Sequence, residues 1–441
     1  MIKSIFAFLS TFVMGMAICV QAQNYDDYNL KGYKTPDIKR TSLDFTFNSD
    51  GSFVTNSGSY NNTSQLEGLI NTKFNRYINT RSFIGEQQIG VELSGSNLKL
   101  GGDTSKIKRR QLSFVTSYKN SSRFYITDKW FWNTGGNINF DYNNSKTTNN
   151  PAFNELIFNI SPVIGLGRGR IEQVQDARQA VYILDELSKK GIITTKLSEE
   201  EINSFSQVIS AVKNKRFLDS RLHLIDEITN VDSFLVNNNY LKKSGASYFT
   251  TLYDYWMYGD LFSRGSGFEV SGQINPSYLY HKTYSKGFRN NQTGITASLL
   301  ANYEDPINLY WQQSANVSIS VNHHHSVTKI YEDTNEIDSN ANSTIFSGGY
   351  SLGYYPNSRT NLNIGISERL AFLDVHSYGI NHSSVTSLDL SAYYYISPQL
   401  RFSGNINLMY NDNSYNNYND YYTVGRKWNG NYSMTLTYSL F

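Results

Sequence analysis

The amino-acid sequence predicts an all-β transmembrane barrel of about 14 antiparallel strands, with a helical periplasmic insert between strands 6 and 7. Three observations predict this fold. Apolar and small polar residues alternate along many segments, which gives each strand one face for lipid and one for water. The joins between these segments are alternately short and long. In the middle of the chain the alternation stops and the apolar spacing becomes helical.

The composition is typical of a chain that meets both lipid and water. Its 441 residues include 34 Tyr and 25 Phe but only 7 Pro. Tyr suits a membrane–water interface because its ring is apolar and its hydroxyl is polar. The net charge of +2 argues against a nucleic-acid partner, which would require a strongly basic face. Beyond the N-terminus, no apolar run is long enough for a transmembrane helix.

Residues 1–22 are predicted to be a secretory signal peptide. Lys3 supplies the positive charge, an apolar core follows, and Ala22 is the small residue at the cleavage site. The only cysteine of the chain, Cys19, lies within this segment. It is preceded by Ile18, whereas a lipoprotein signal places small residues there, so lipidation is the less favoured alternative. Residues 23–40 are then predicted to be an N-terminal periplasmic segment.

The first six strands are predicted within residues 41–170. Tight joins near 75–82 and 120–130 alternate with polar loops near 95–106 and 143–150. The expected strands span 41–54, 65–76, 84–96, 109–119, 132–144 and 154–167.

Eight further strands are predicted within residues 263–441. Pro306, Pro356 and Pro398 mark tight turns, and long Asn-rich loops lie between them. Outer-membrane barrels have this asymmetry, with short periplasmic turns and longer outer loops. A soluble β-sandwich would show the same alternation of residues, but it gives no reason for loop lengths to alternate. The expected strands span 266–282, 292–303, 308–328, 343–355, 360–375, 385–396, 400–411 and 429–441.

The stretch GLGRGR marks the predicted end of the sixth strand. Gly165, Gly167 and Gly169 are predicted to let the strand bend sharply out of the wall, because they have no side chain to clash. Arg168 and Arg170 are predicted to lie at the periplasmic rim. The stretch has neither the Lys-Ser/Thr of a phosphate-binding loop nor a dinucleotide-binding spacing. Because the sixth strand runs downwards, the insert that follows is expected on the periplasmic side.

The insert, residues 171–262, is predicted to contain three helices and a further aromatic helical stretch. Gly191 ends the first helix, and Ser198 with Glu201 forms a capping box for the second. In the aromatic stretch, Tyr253, Trp256 and Tyr258 suit the lower membrane interface. The apolar faces of the three helices are formed by Val174, Ala177, Val181, Leu184 and Leu187; by Ile202, Phe205, Ile209 and Val212; and by Leu218, Leu222, Ile225, Ile228 and Leu235. These faces could pack on one another as a plug or pedestal, or could dock another envelope protein.

Three short motifs carry a resemblance: VQAQ at 20–23, ITDKWFW at 126–132 and TYSLF at 437–441. In these the chain resembles the Asn- and Tyr-rich outer-membrane β-barrel proteins of the Bacteroidota. The resemblance implies a location in the outer membrane of a Gram-negative cell. It also implies that the barrel-assembly machinery reads the last strand, with Phe441 as the terminal aromatic residue and Tyr438 in the signal. The apolar alternation ends at Leu440, one residue out of phase with that signal.

Several polar groups are candidates for a metal-binding or catalytic site. His323, His324 and His325 alternate in direction along a strand, so they cannot all bind one metal ion, and a solvated rim is favoured. Asp374, His376, His382 and Ser383 could be combined into a hydrolase site, but they all lie beside one loop. No enzyme activity, metal or cofactor is predicted. Glu368 is anomalous, because its phase places a carboxylate on the lipid face, where it is costly. A bulge in the strand or a covering neighbour is expected there.

The favoured function is a passive or gated pore for small solutes. The alternative is a membrane-anchored assembly protein whose insert docks an envelope partner. The charges expected to face the lumen are mixed in sign, which predicts weak ion selectivity. They are Glu92, Asp141, Glu269, Asp389 and Arg401.

Overall fold

The computed structural model confirms the strand count and the position of the helical insert. Fourteen strands form one antiparallel sheet in chain order, and four helices lie between the sixth and seventh strands. The residues that the structure describes are 25–54, 62–101, 106–193, 195–214, 224–242, 244–258, 263–284, 287–330, 336–375, 379–397, 400–416 and 422–438. The predicted signal peptide, Cys19 and Phe441 lie outside them.

The strands of this sheet, here called the wall, are longer than the sequence predicts. Most of the polar loop expected at 95–106 continues the two flanking strands as a hairpin, because polar side chains are compatible with an exposed ladder. The strands are β1 (Ile38–Val54), β2 (Asn62–Asn79), β3 (Phe83–Gly101), β4 (Lys106–Tyr125), β5 (Trp130–Thr147), β6 (Phe153–Gln173), β7 (Gly265–Thr283), β8 (Phe288–Pro306), β9 (Trp311–Ile330), β10 (Glu336–Asn357), β11 (Thr360–Val375), β12 (Gly379–Ser397), β13 (Leu400–Asn416) and β14 (Tyr422–Tyr438).

The sheet is not closed over the described residues. Every consecutive pair of strands is hydrogen-bonded, but β1 is not paired with β14. The expectation of a closed barrel is therefore not met. Residue alternation and loop length specify local hairpins, whereas closure depends on pairing between the first and last strands, which no local pattern specifies.

One face of the wall is apolar and exposed. Phe45 of β1, Leu299 of β8 and Tyr432 of β14 are 73%, 59% and 78% exposed. The opposite face carries Asn, Ser, Thr and charged residues, as the period of two requires. In a β-sandwich a second layer would cover the apolar face, and here these side chains are uncovered. The sandwich alternative is therefore excluded for this sheet.

The four helices are α1 (Gln175–Lys189), α2 (Glu199–Asn214), α3 (Leu224–Asn237) and α4 (Ala246–Tyr258). All the face residues predicted for α1 and α2 are buried. Gly191 adopts a left-handed conformation (φ 66°) just after α1, as predicted for a helix-ending glycine. Among the described helices, none is long and apolar enough to cross a membrane.

The prediction for α3 is partly wrong. Ile228 and Leu235 are buried, but Ile225 is largely exposed, and Val231 takes its place in the core. Leu218 and Leu222 lie outside the described residues.

The strand does not bend at the glycines of GLGRGR. β6 continues through them to Gln173, and the chain turns into α1 at Val174. The glycines instead allow close approach: a Cβ on Gly167 would lie 2.3 Å from the Phe131 ring, and one on Gly165 would lie 2.4 Å from the Gly272 carbonyl oxygen. Gly169 has φ 108°, which favours glycine.

Candidate functional site

The helical insert and the N-terminal segment together form one compact unit, here called the cap (residues 25–37 and the described part of 174–264). Its core contains apolar residues from all four helices and from the N-terminal segment, including Leu184, Phe205 and Trp256. The capping box is present: the Ser198 N–H and hydroxyl donate to Glu201 at 2.7 and 2.9 Å. The apolar faces that the sequence predicts for α1 and α2 are therefore covered by packing within the cap.

The N-terminal segment is part of the cap, which the sequence did not reveal. Tyr25, Leu30 and Tyr33 are buried in the helical core. The Tyr28 hydroxyl donates to the Asn203 side chain at 2.6 Å, and the Tyr33 hydroxyl lies 2.9 Å from the Ser210 hydroxyl. The only local signal was the cluster of tyrosines, which does not indicate a partner because these contacts join residues more than 170 positions apart.

The cap lies against the short turns of the wall. The Tyr182 hydroxyl of α1 donates to the Tyr355 carbonyl oxygen at 3.0 Å, near the end of β10. In the turn between β10 and β11, Arg359 forms an ion pair with Asp254 of α4 at 3.0 Å. The Tyr258 ring contacts the Tyr395 ring at the lower end of β12. The insert therefore lies at the end of the sheet where the sequence predicts it, across several of the short turns.

The prediction that Trp256 lies at the lower membrane interface is wrong. Trp256 is buried in the cap, and its indole N–H donates to Glu227 of α3 at 2.9 Å. The exposed large hydrophobic residues of α4 are instead Phe249, Tyr253 and Met257, which recur every four residues along the helix. The helix turns its tryptophan inwards because packing against α3 covers that side.

Two buried guanidinium groups fix the cap to the wall. Arg178 of α1 and Arg264, which precedes β7, lie 5.2 and 5.1 Å from the centre of the Tyr355 ring. Arg264 also donates to the carbonyl oxygens of Asn308 and Leu309 in the turn between β8 and β9. Burial, together with the charge of Arg178, lowers the pKa of Arg264 to about 10.

A buried ion pair joins α1 to α2. Lys213 donates to Asp176 at 2.7 Å, and the Ser210 hydroxyl donates to the same carboxylate. Both side chains are almost inaccessible to solvent. Burial raises the pKa of the neighbouring Tyr33 well above its usual range, so this hydroxyl remains a neutral hydrogen-bond donor. The cap is therefore held by a buried ion pair and buried hydrogen bonds as well as by its apolar core.

A second polar network connects β2, β4, β6 and β7 on the polar face of the wall near the cap. Arg170 donates to the Thr80 carbonyl oxygen at 3.0 Å and forms an ion pair with Glu172 at 3.2 Å. Arg123 forms an ion pair with Glu269 at 2.7 Å. Arg170 thus lies near the lower rim, where it binds the turn between β2 and β3. Arg168 lies over the Trp130 ring.

The five predicted lumen charges occupy the polar face but do not form one site. Strand alternation places Glu92 in β3, Asp141 in β5 and Glu269 in β7 on this face. Asp389 of β12 accepts a hydrogen bond from Asn407 at 2.6 Å. Arg401 lies opposite Tyr395 at the lower end of β13.

Glu368 lies on the apolar face without a bulge. The pairing of β11 with β10 and β12 is continuous through this residue. The hydroxyls of Ser384 and Thr386 on β12 donate to its carboxylate, the first at 2.6 Å. The expectation of a bulge is therefore wrong. The hydroxyls of the neighbouring strand instead provide hydrogen bonds to the carboxylate on the apolar face.

The groups considered for metal binding or hydrolysis are dispersed. His323 contacts Asn342 at 2.7 Å and His325 contacts Asn340 at 3.0 Å, both on β10. Successive residues of β12 point to opposite faces, so Ser383 and His382 are not aligned with each other. His376 lies outside the described residues. Within the described part of the chain, no group of three His, Cys, Asp or Glu could hold a metal ion.

No protein-family model matches the chain, and no curated protein matches it in sequence. The similar solved structures are outer-membrane β-barrel proteins. One is the transport unit of the autotransporter AIDA-I from Escherichia coli, with 11% identity over 85% of this chain and 100% of that chain, and a TM-score of 0.31. Another is an anion-selective porin from Comamonas acidovorans, with 9% identity over 90% and 98%, and a TM-score of 0.24.

A third similar structure is OmpT, an outer-membrane protein of Vibrio cholerae, with 8% identity over 90% of this chain and 97% of that chain, and a TM-score of 0.21. Likeness at this level assigns no function to the chain, and the resemblance to proteins of the Bacteroidota stays a prediction.

Proposed function

We propose that the chain is an outer-membrane barrel protein that acts as a gated pore for small solutes, with the cap covering its periplasmic end. The observation that carries this proposal is the single sheet with one exposed apolar face and one polar face. A sheet of this kind is stable where lipid covers the apolar side and water fills the other. The proposed partners are outer-membrane lipid and the barrel-assembly machinery.

A pore requires that β1 and β14 pair with each other in the membrane. Unpaired backbone groups in lipid cost several kcal/mol each, and each edge strand is 17 residues long. β1 and β14 run in opposite directions, so they can continue the antiparallel pattern. Cysteines placed in pairs along β1 and β14 should cross-link after insertion into lipid and remain unlinked in the urea-unfolded chain.

The cap supports a gated pore rather than an open one. It contacts the turn between β8 and β9, the end of β10 at Tyr355 and the end of β12 at Tyr395 through buried or charged side chains. It also reaches the turn between β2 and β3, because Arg81 in that turn donates to the carbonyl oxygen of Thr35 in the N-terminal segment of the cap at 3.3 Å. Contacts distributed in this way place the helices across the end of the sheet.

The test is single-channel conductance in a planar bilayer. The full chain should conduct weakly, and a variant lacking 25–36, with 175–258 replaced by a Gly/Ser linker, should conduct several times more. Both proteins should show the heat-modifiable migration of a folded barrel. Equal conductance of the two proteins, or no conductance from either, would contradict the proposal.

The docking function is favoured by one observation, the exposed stripe of Phe249, Tyr253 and Met257 on α4. Exposed apolar residues with helical spacing on one face can bind another protein. Replacing all three with Ser should leave conductance unchanged under the pore proposal. If the stripe docks a partner, the same variant should lose a defined complex that the full chain forms in the envelope. We propose no catalytic role for the chain.

A further inference from the structure

The pairing between β6 and β7 is interrupted in the middle of the wall. Pro162 of β6 lies directly opposite Pro276 of β7, because Ile160 pairs with Tyr278 and Ile164 pairs with Ile274 in the same register. The three residues between these pairs on β6 are not paired with the three opposite them on β7. In the described strands, the other interruptions of register lie at strand ends.

The opposed prolines account for this gap. Proline has no backbone N–H, so neither residue can donate to the carbonyl oxygen of the other. An antiparallel hydrogen-bonded pair exchanges two bonds, and the pairs on either side rely on the same two bonds. Two opposed prolines therefore remove three consecutive pairs and leave two carbonyl acceptors without their ladder donors. Proline is otherwise confined to edge strands and bulges for this reason.

A side chain on the polar face bridges the gap. With its amide in the orientation that satisfies both atoms, Asn275 donates to the carbonyl oxygens of Pro162 at 3.3 Å and Pro276 at 3.0 Å. A polar pocket of about 300 Å³ adjoins this position, lined by Ser161, Asn275 and Ser277 among others. The two strands are thus joined here by one amide side chain instead of two backbone bonds.

On the apolar face, a groove of about 880 Å³ begins beside the same gap. Its walls include Ile164 and Ile274, which flank the unpaired residues, and its far end includes Trp132. Gly272 and Ala297 lie on its floor, where their small size leaves space between larger neighbours. The groove thus ends two residues along each strand from the opposed prolines, whose carbonyl oxygens are hydrogen-bond acceptors.

We propose that this seam between β6 and β7 is a lateral binding site for a single-chain amphiphile whose polar end is a hydrogen-bond donor. The apolar chain occupies the groove, and the donor group replaces Asn275 on the carbonyl oxygens of Pro162 and Pro276. The proposal rests on the proposed location of the wall in lipid, but not on conduction. It commits to a donor head group because the two backbone groups that lack a ladder partner are both acceptors.

The test uses 12-bromododecan-1-ol as the probe and Trp132 as the reporter, since bromine quenches tryptophan on contact. Trp130, Trp311 and Trp428 are replaced with Phe, and Trp256 is kept because it is buried in the cap. In lipid nanodiscs, quenching should saturate with the alcohol. The matched control is 1-bromododecane, which has the same chain without a donor and should quench only in proportion to its partitioning into lipid.

Two variants separate the seam from general lipid contact. Pro162→Val with Pro276→Val restores both N–H donors, so the saturable quenching should be lost or its half-saturation raised at least tenfold. Asn275→Leu frees both carbonyl oxygens and should lower the half-saturation concentration. Equal, non-saturating quenching by both probes, or unchanged saturation in the double proline variant, would overturn the proposal. Conductance of the same preparations shows separately whether the pore proposal holds.

Discussion

The cap and the wall place their apolar side chains in opposite environments. In the cap, Leu184, Phe205 and Leu235 have no exposed surface, whereas Phe45, Leu299 and Tyr432 on the wall are mostly exposed. The cap is built like a water-soluble protein, with an apolar core and a buried ion pair between Lys213 and Asp176. The wall has no such core, and its strands are joined mainly by backbone hydrogen bonds. The chain therefore contains two regions suited to different solvents, water for the cap and lipid for the apolar face of the wall. The responses of the two regions to the same kind of change can be compared.

The largest expected effect concerns the side of the membrane on which each region lies. Asn150 is in the outer turn after β5, and Glu200 is exposed on α2 of the cap. In chains carrying only one of the substitutions Asn150→Cys or Glu200→Cys, an impermeant maleimide should label the first on intact cells. The second should be labelled only after the outer membrane is opened. Labelling of Glu200→Cys on intact cells would show that the cap lies on the outer side of the membrane, contrary to the prediction.

The next effect compares the same substitution in the two regions. Leu184→Ala should lower the free energy of unfolding of the cap by about 2–5 kcal/mol, because it leaves a cavity in a buried core. Leu299→Ala should change the stability of the wall by less than about 1 kcal/mol, because lipid fills the space. Urea titration followed by Trp256 fluorescence reports the cap, and heat-modifiable migration reports the wall. Equal losses in the two variants would contradict the comparison.

The smallest effect concerns the first turn of α2. Ser198→Ala should cost about 1 kcal/mol of cap stability, because the capping hydroxyl is lost. Hydrogen bonds from Ser198 lower the pKa of the Glu201 carboxyl in the folded cap. Its stabilising contribution is therefore present above the unfolded pKa and is lost as pH falls through the folded pKa.

The same urea titration, repeated from pH 7 to pH 3, checks this sign. Glu201→Gln should remove part of the acid-induced loss and leave the wall unaffected. A cap that became more stable as the pH fell would contradict the assignment.

The sequence predicted the wall well because its signal is local. A period of two, a turn residue and a loop length can each be read from a few neighbouring positions, and together they specified fourteen strands. The helical faces of α1 and α2 were predicted for the same reason. The prediction failed where the determinant is distant: Trp256 turns inwards because α3 covers it, and Gly167 is required by Phe131 on the adjacent strand.

The candidate site was less predictable than the fold. Alternation assigned Glu92, Asp141 and Asp389 to the polar face, but it could not show that Glu269 would pair with Arg123 of another strand. The contribution of residues 25–37 to the cap and the approach of Arg178 and Arg264 to Tyr355 also depend on residues far apart in sequence. Side chains that meet only through the tertiary fold leave no periodic pattern.

The segments that form the cap also determine the order in which parts of the chain can fold. Its core contains Tyr25 from the start of the described chain and Leu309 from the turn between β8 and β9. The helices cannot finish packing until both segments, separated by more than two hundred residues, have arrived, and contacts at such separation form slowly. Cap closure is therefore a late folding event that follows the pairing of β8 with β9. Until then the polar face of the wall stays uncovered at its lower end. A partly folded chain can therefore be distinguished from a fully folded one by protease access to α1.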